Sequence, residues 1–321
     1  MATSGSVIGF SAWERRQESA RPALPQERGS GTTNPHTEDR AMDEQHRIHT
    51  AGIAARITAQ GAELVSLRDA DGEELLWQAG PEWPRHAPVL FPIVGRLAGD
   101  TLRHAGQTHR LTQHGFARDS LFEWTERSAT RASLRLRDSE ATRSLFPFPF
   151  VLDQIFTVED ATLSVTTRIS NPGEAVLPCA VGAHPAFRWP LAAGVAQEAH
   201  LLEFATPEPG PALAVEDGLM AGPGPLPFDG QVLPLSPALF AEHALVMPDV
   251  ASRSVRFVAP GEDGVPARVL AVSWEGYKDL GVWSPPGGAP FLCIEPWFGM
   301  ASPVDWDGDI SDKPGILLLG A

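Results

Sequence analysis

The sequence predicts an all-β fold, a sandwich of antiparallel strands, on three observations. From Ile48 onward, short apolar or alternating runs are punctuated every ~8–12 residues by turn signals. Thirty prolines and 30 glycines interrupt most windows that would otherwise read as amphipathic helix. A chain of 321 residues that is 43% hydrophobic and 20% charged has the apolar material for a large core, and it lacks the strand–helix rhythm of a doubly wound sheet.

Taken in order, residues 1–46 are rich in Ser, Gly, Thr, Pro, Gln, Glu and Arg without apolar periodicity, so they read as a disordered extension, with Met42 as an alternative start. Residues 47–321 form one domain. Asp71-Gly72 separates ELVSLRDA from ELLWQ, Glu159-Asp160 separates VLDQIFTV from TLSVTTRI, and Asn171-Pro172-Gly173 ends that run, each a tight-reversal signal. In TLSVTTRIS, Leu163, Val165, Thr167 and Ile169 alternate with Thr162, Ser164, Thr166 and Arg168, as in a half-buried strand. Residues 205–235 carry many prolines and little alternation and read as a long irregular loop. No repeat of 20 to 50 residues is present.

A formal charge of −15 without a Lys/Arg block argues against a nucleic-acid or membrane-surface partner and favours a small ligand. No apolar run has the ~18 residues of a spanning helix, and the N-terminus has no signal-peptide pattern, so a soluble cytoplasmic protein is expected. Cys179 and Cys293 lie in apolar runs and read as buried thiols of a reducing compartment.

Four segments place polar groups among apolar residues and glycines: LFPIVGRL (90–97), QHGFARD (113–119), GAHPAFRW (182–189) and CIEPWFGMAS (293–302). Period-two alternation sets Phe291, Cys293 and Glu295 on one face and Leu292 and Ile294 on the other. Glu295 is thus a carboxylate in an apolar strand, where desolvation raises its pKa toward proton-transfer use; a buried salt bridge to an arginine such as Arg96 is the plainer reading. His184 is flanked by Gly182-Ala183 and Pro185, and histidine exchanges protons near neutral pH, although a lone histidine is more often structural. His114, before Gly115-Phe116, presents the same choice. Arg96 and Arg118 offer forked donors for hydroxyls or a phosphate, against surface ion pairs. Phe116, Phe187, Trp189 and Trp297 suit the apolar face of a sugar ring or a plain core. No nucleophile elbow, P-loop, dinucleotide fingerprint or C-x-x-C pair is present, and no local metal-binding spacing joins His114, His184 and Glu295.

These four segments, in this order, resemble the aldose 1-epimerase superfamily in its bacterial branch. The likeness runs from Ile48 to the C-terminus and includes LLW (75–77), LFAEHALVM (239–247), GVWSPPG (281–287) and KPGILLLG (313–320). It implies a galactose-mutarotase-like β-supersandwich with a sugar cleft, and a reaction without cofactor or metal. It also implies His184 as general acid, Glu295 as general base, His114 as an aid at the ring oxygen and Arg96 as a holder of sugar hydroxyls. Arg118, Phe116, Phe187, Trp297 and His243 complete the expected substrate-binding set. His243 departs from the pattern, since many relatives carry an aspartate there; Glu242 and Asp249 are possible substitutes. The expected partner is a hexose, free or phosphorylated, with the protein a monomer or homodimer. Two alternatives to an aldose 1-epimerase stand: a hexose-6-phosphate 1-epimerase using Arg96, Arg118 and Arg85, and a catalytically silent sugar-binding or regulatory module.

Overall fold

The computed structural model describes residues 2–14 and 45–321. Two antiparallel sheets dominate it. In the nine-stranded sheet the order is Val232–Pro234, Leu201–Phe204, Ser254–Ala259, Arg268–Glu275, Ala2–Glu14, Thr162–Asn171, Val151–Glu159, Arg131–Arg137 and Glu123–Arg127. The eight-stranded sheet runs Leu219–Gly224, Ala212–Glu216, Leu245–Met247, Asp279–Trp283, Phe291–Phe298, Val181–Ala183 and Val89–Leu90, with Ala186–Arg188 also paired to Phe291–Phe298. Inward residues of both sheets share one core: Ile8, Phe10, Phe156 and Leu163 from the first meet Phe187, Leu280, Leu292 and Ile294 from the second. The single α-helix among the described residues, Glu140–Leu145, starts at a capping box of Ser139 and Thr142. No helix among them is long and apolar enough to cross a membrane.

The turns follow their sequence signals. Glu159 pairs with Thr162 around Asp160-Ala161, with Asp160 in the left-handed region at φ 48°, a conformation aspartate tolerates in two-residue hairpins. The Gly173 N–H donates to the Asn171 side chain at 3.0 Å, closing an Asx turn that ends the Thr162–Asn171 strand. In that strand Leu163, Thr167 and Ile169 are buried while Arg168 is exposed, as the alternation requires.

Two expectations need correction. The disordered extension placed over residues 1–46 does not hold for Ala2–Glu14, which form a strand paired on both sides, Ile8 opposite Val165 and opposite Trp274. Its pattern is period two in miniature: Ser6, Ile8 and Phe10 are buried, with Gly and small polar residues between them hiding the apolar face in composition. Residues 15–44 lie outside the described residues; Gln45–His49 pair with Ile53–Thr58 as a further strand. The loop placed over residues 205–235 contains a bulged hairpin, Ala212–Glu216 with Leu219–Gly224, at the edge of the eight-stranded sheet. Pro223 sits in that edge strand, where a missing N–H costs no ladder bond.

Candidate active site

The site is built on the Phe291–Phe298 strand. Leu292 and Ile294 enter the main core, so Phe291, Cys293, Glu295 and Trp297 turn to the opposite face. Two short strands lie alongside it. Gly182 pairs with Trp297 and Ala186 with Cys293. The register runs on between them and sets His184 directly across from Glu295. Cross-strand neighbours point the same way, and His184 Nε2 stands 3.2 Å from Glu295 Oε2. On the other side of the glutamate, Gly281 occupies the facing position of Asp279–Trp283. Side chains at Gly281 and at Gly182 would collide with the Trp297 indole, so the two glycines let that ring lie flat beside the carboxyl.

Aromatic rings enclose the imidazole. Trp83 stacks on His184 with centroids 4.9 Å apart, Trp283 meets it edge-on at 5.7 Å, and His114 approaches edge-on at 5.7 Å. His114 is held in the left-handed region at φ 66°. Its N–H donates to the Gly95 carbonyl at 2.8 Å, and its Nδ1 accepts from the Gly95 N–H at 3.1 Å. A neutral His114 with Nδ1 accepting carries its proton on Nε2, as a donor.

Burial dominates the electrostatics. It pushes the Glu295 carboxyl well above the ordinary carboxylate range, and the nearby Trp297 indole N–H opposes this; neither that N–H nor Glu295 Oε2 makes a full hydrogen bond, so desolvation wins. Burial also lowers His184 to about 3, with the cations Arg118 and Arg85 pressing the same way. His114 falls well below 6.5, first through burial and then through His184, Arg118 and Arg85. Both shifts favour a protonated Glu295 and a neutral His184 over the ion pair in the resting site. Both states contain one shared proton and differ by its transfer across 3.2 Å.

A family model, aldose 1-epimerase, matches residues 44–209. The LacX protein of Lactococcus lactis is 30% identical over 275 residues, covering 82% of this chain and 91% of its own. The chain belongs to the aldose 1-epimerase family. Two solved structures share the fold: a galactose mutarotase related enzyme of Lactobacillus acidophilus (30% identity, TM-score 0.74, 86% of this chain and 92% of that one) and a galactose mutarotase-like protein of Lactobacillus casei (27% identity, TM-score 0.77, 86% and 95%).

The remaining sequence-derived residues divide. Arg118 influences both histidines and donates Nη2 to the Gln113 carbonyl at 2.8 Å. Arg96 forks onto Asp100, Nε to Oδ1 at 2.7 Å and Nη2 to Oδ2 at 3.3 Å, so it is not the partner of Glu295. His243 turns Nδ1 to the Ala244 carbonyl at 2.9 Å, in the segment leading into Leu245–Met247. Phe116 and Phe187 are corrections, since both are buried in the main core rather than against a ligand. Phe187 is opposite Leu292, one residue out of phase with the His184 face, and packs on Phe10 at 5.6 Å. Phe116 packs on Phe91 and Phe150. Sequence reasoning missed Trp83 and Trp283, whose surroundings, PEWPRH and GVWSPPG, are loop-like; only the excess of tryptophans near prolines marked them. Cys293, read as a structural thiol, shares the face of Glu295 and lies with it and His184 in one cluster.

Proposed function

We propose that the protein is an aldose 1-epimerase that interconverts the α and β anomers of a free hexose. The observation that carries this is the His184–Glu295 pair, 3.2 Å apart on one face of the sheet beside the Trp83 and Trp283 rings. In a pyranose the anomeric hydroxyl and the ring oxygen are both attached to C1. Two groups about 3 Å apart can therefore touch both oxygens at once. The sugar's CH-bearing face suits Trp83, Trp283 and Trp297.

Ring opening requires a proton to leave the anomeric hydroxyl and another to reach the ring oxygen. With the shared proton on His184, Glu295 takes the first and His184 supplies the second as the C1–O5 bond breaks. His114, with its Nε2–H, stabilises the developing charge on the ring oxygen. Rotation about C1–C2 and reclosure in reverse give the other anomer, and the pair returns with its single proton. No net charge or redox change occurs.

A second reading, a hexose-6-phosphate 1-epimerase, is favoured by Arg85 and Arg118, whose charges reach both histidines. Against it, Asp119 already engages Arg85 at 2.8 Å and lies 3.7 Å from Arg118. Exchange NMR on glucose, galactose and their 6-phosphates decides between them. Faster exchange of the free sugars is expected, and a large preference for the phosphates overturns the substrate class. Glu295→Gln is expected to lower kcat/KM by about 10²–10⁴-fold. Sugar binding with no acceleration in the wild-type protein would leave a silent binding module.

A further inference from the structure

We infer that His184, Cys293 and Glu295 together form a binding site for a thiophilic divalent cation, of which Zn²⁺ is the type, and that occupation of this site excludes the sugar. The inference goes beyond the proposed reaction, which uses no metal and gives Cys293 no part.

Three donors converge. Cys293 and Glu295 are two residues apart on one strand and so share a face, and the register sets His184 opposite Glu295. One ligand atom from each of the three lies within 4.8 Å of the others, and all three residues are buried. Bonds of about 2.0 Å to nitrogen and oxygen and about 2.3 Å to sulfur place the ligand atoms of a tetrahedral zinc roughly 3.3–3.6 Å apart. The His184–Glu295 distance is already 3.2 Å. A modest side-chain rotation brings the thiol in.

A second, independent observation is that this polar cluster is not satisfied by the protein. His184 Nδ1 has no hydrogen-bond partner among the described residues, and Glu295 Oε2 faces His184 Nε2 at 3.2 Å without completing a hydrogen bond, although Glu295 is only 2% exposed and His184 7%. Buried polar atoms left so are costly and mark places where something else binds. Charge balance points to the same ligand. A neutral imidazole, a thiolate and a carboxylate offset a dication, and a neutral assembly is the one an apolar shell of Phe291, Trp83 and Trp283 accepts most readily. Sulfur in the ligand set selects Zn²⁺, Cd²⁺ or Co²⁺ over Mg²⁺ and Ca²⁺.

On binding, the Cys293 thiol and the Glu295 carboxyl each release a proton to solvent, and His184 binds as the neutral base. The acid/base pair is then consumed by the metal.

The test is a Co²⁺ titration of the full chain, followed by absorption and by competition with Zn²⁺. One equivalent of tetrahedral Co²⁺ with a thiolate-to-cobalt charge-transfer band is expected, displaced by Zn²⁺. Cys293→Ser is expected to abolish the band and weaken affinity by more than the ~10–100-fold that loss of an outer-shell partner costs; Cys179→Ser is expected to keep both. Circular dichroism and melting verify that each variant is folded, and Glu295→Gln gives a second affinity readout if Cys293→Ser is not. Cobalt bound without the thiolate band, a band that survives Cys293→Ser, or no binding at all overturns the proposal. Because the readout is metal binding, these outcomes stand apart from whether the protein turns over a sugar.

Discussion

His184 and Glu295 have opposite linkage to folding. Unfolded, His184 titrates near 6.5 and folded near about 3. Between these values only the unfolded chain binds the proton, so His184 costs stability as pH falls through that window. Glu295 is raised well above 4.5, so above 4.5 the unfolded carboxyl is ionised while the folded one keeps its proton, and this residue costs stability as pH rises. Glu295→Gln is therefore expected to melt higher than wild type at pH 8, by about 0.5–2 kcal/mol, with the gain shrinking toward pH 4.5. Equal melting at both pH values refutes a buried, proton-holding carboxyl. The pair also sets a pH–rate expectation. It retains its one proton from about 3 to above the usual carboxyl range, so kcat/KM, corrected for uncatalysed mutarotation, is expected to stay flat through pH 6.5. An acid limb centred near 6.5 shows instead that His184 titrates as an ordinary imidazole.

At the scale of the element, the strands around the dyad explain what was readable and what was not. Period-two alternation in FLCIEPWF separates the Cys293–Glu295–Trp297 face from the core face, and the structure keeps that division. Local pattern does not give the His184–Glu295 pairing, which only the family resemblance implies, because register between Val181–Ala183, Ala186–Arg188 and Phe291–Phe298 depends on contacts more than 100 positions apart in the chain. Phe187 was misread for a related reason: its aromatic character suits a ligand as well as a core, and only its phase, opposite to that of His184, settles the matter. Gly182 and Gly281 carry the same lesson, since their role is to admit the indole of Trp297 and nothing local reveals it. For Gly182→Ala the new Cβ stands 2.5 Å from Trp297 Cδ1. A cost of about 1–3 kcal/mol is expected from overpacking, with kcat/KM falling up to ~100-fold as the carboxyl's neighbour shifts. Gly72→Ala is the control. Gly72 has φ 81° and open space around it, so it is expected to lose about 1 kcal/mol to backbone strain without a change in kcat/KM.

For the whole molecule, the N-terminal strand ties the two sheets to the site. Ala2–Glu14 lies between Thr162–Asn171 and Arg268–Glu275, yet it precedes the segment that the family model matches, which begins at residue 44. It occupies the middle of the larger sheet. Its Phe10 ring packs on Phe187, three residues after His184, with centroids 5.6 Å apart. Dense interiors transmit such contacts, so the strand supports the histidine from behind. Phe10→Ala is expected to cost about 3–5 kcal/mol, the usual range for a buried phenylalanine, measured by urea unfolding. Deleting residues 2–14 is expected to cost more, because it also leaves two strand edges without partners and open to association. If Phe10→Ala and the deletion both unfold at the wild-type urea concentration, the strand contributes nothing to the folded protein, and the remaining strands are sufficient to hold the dyad.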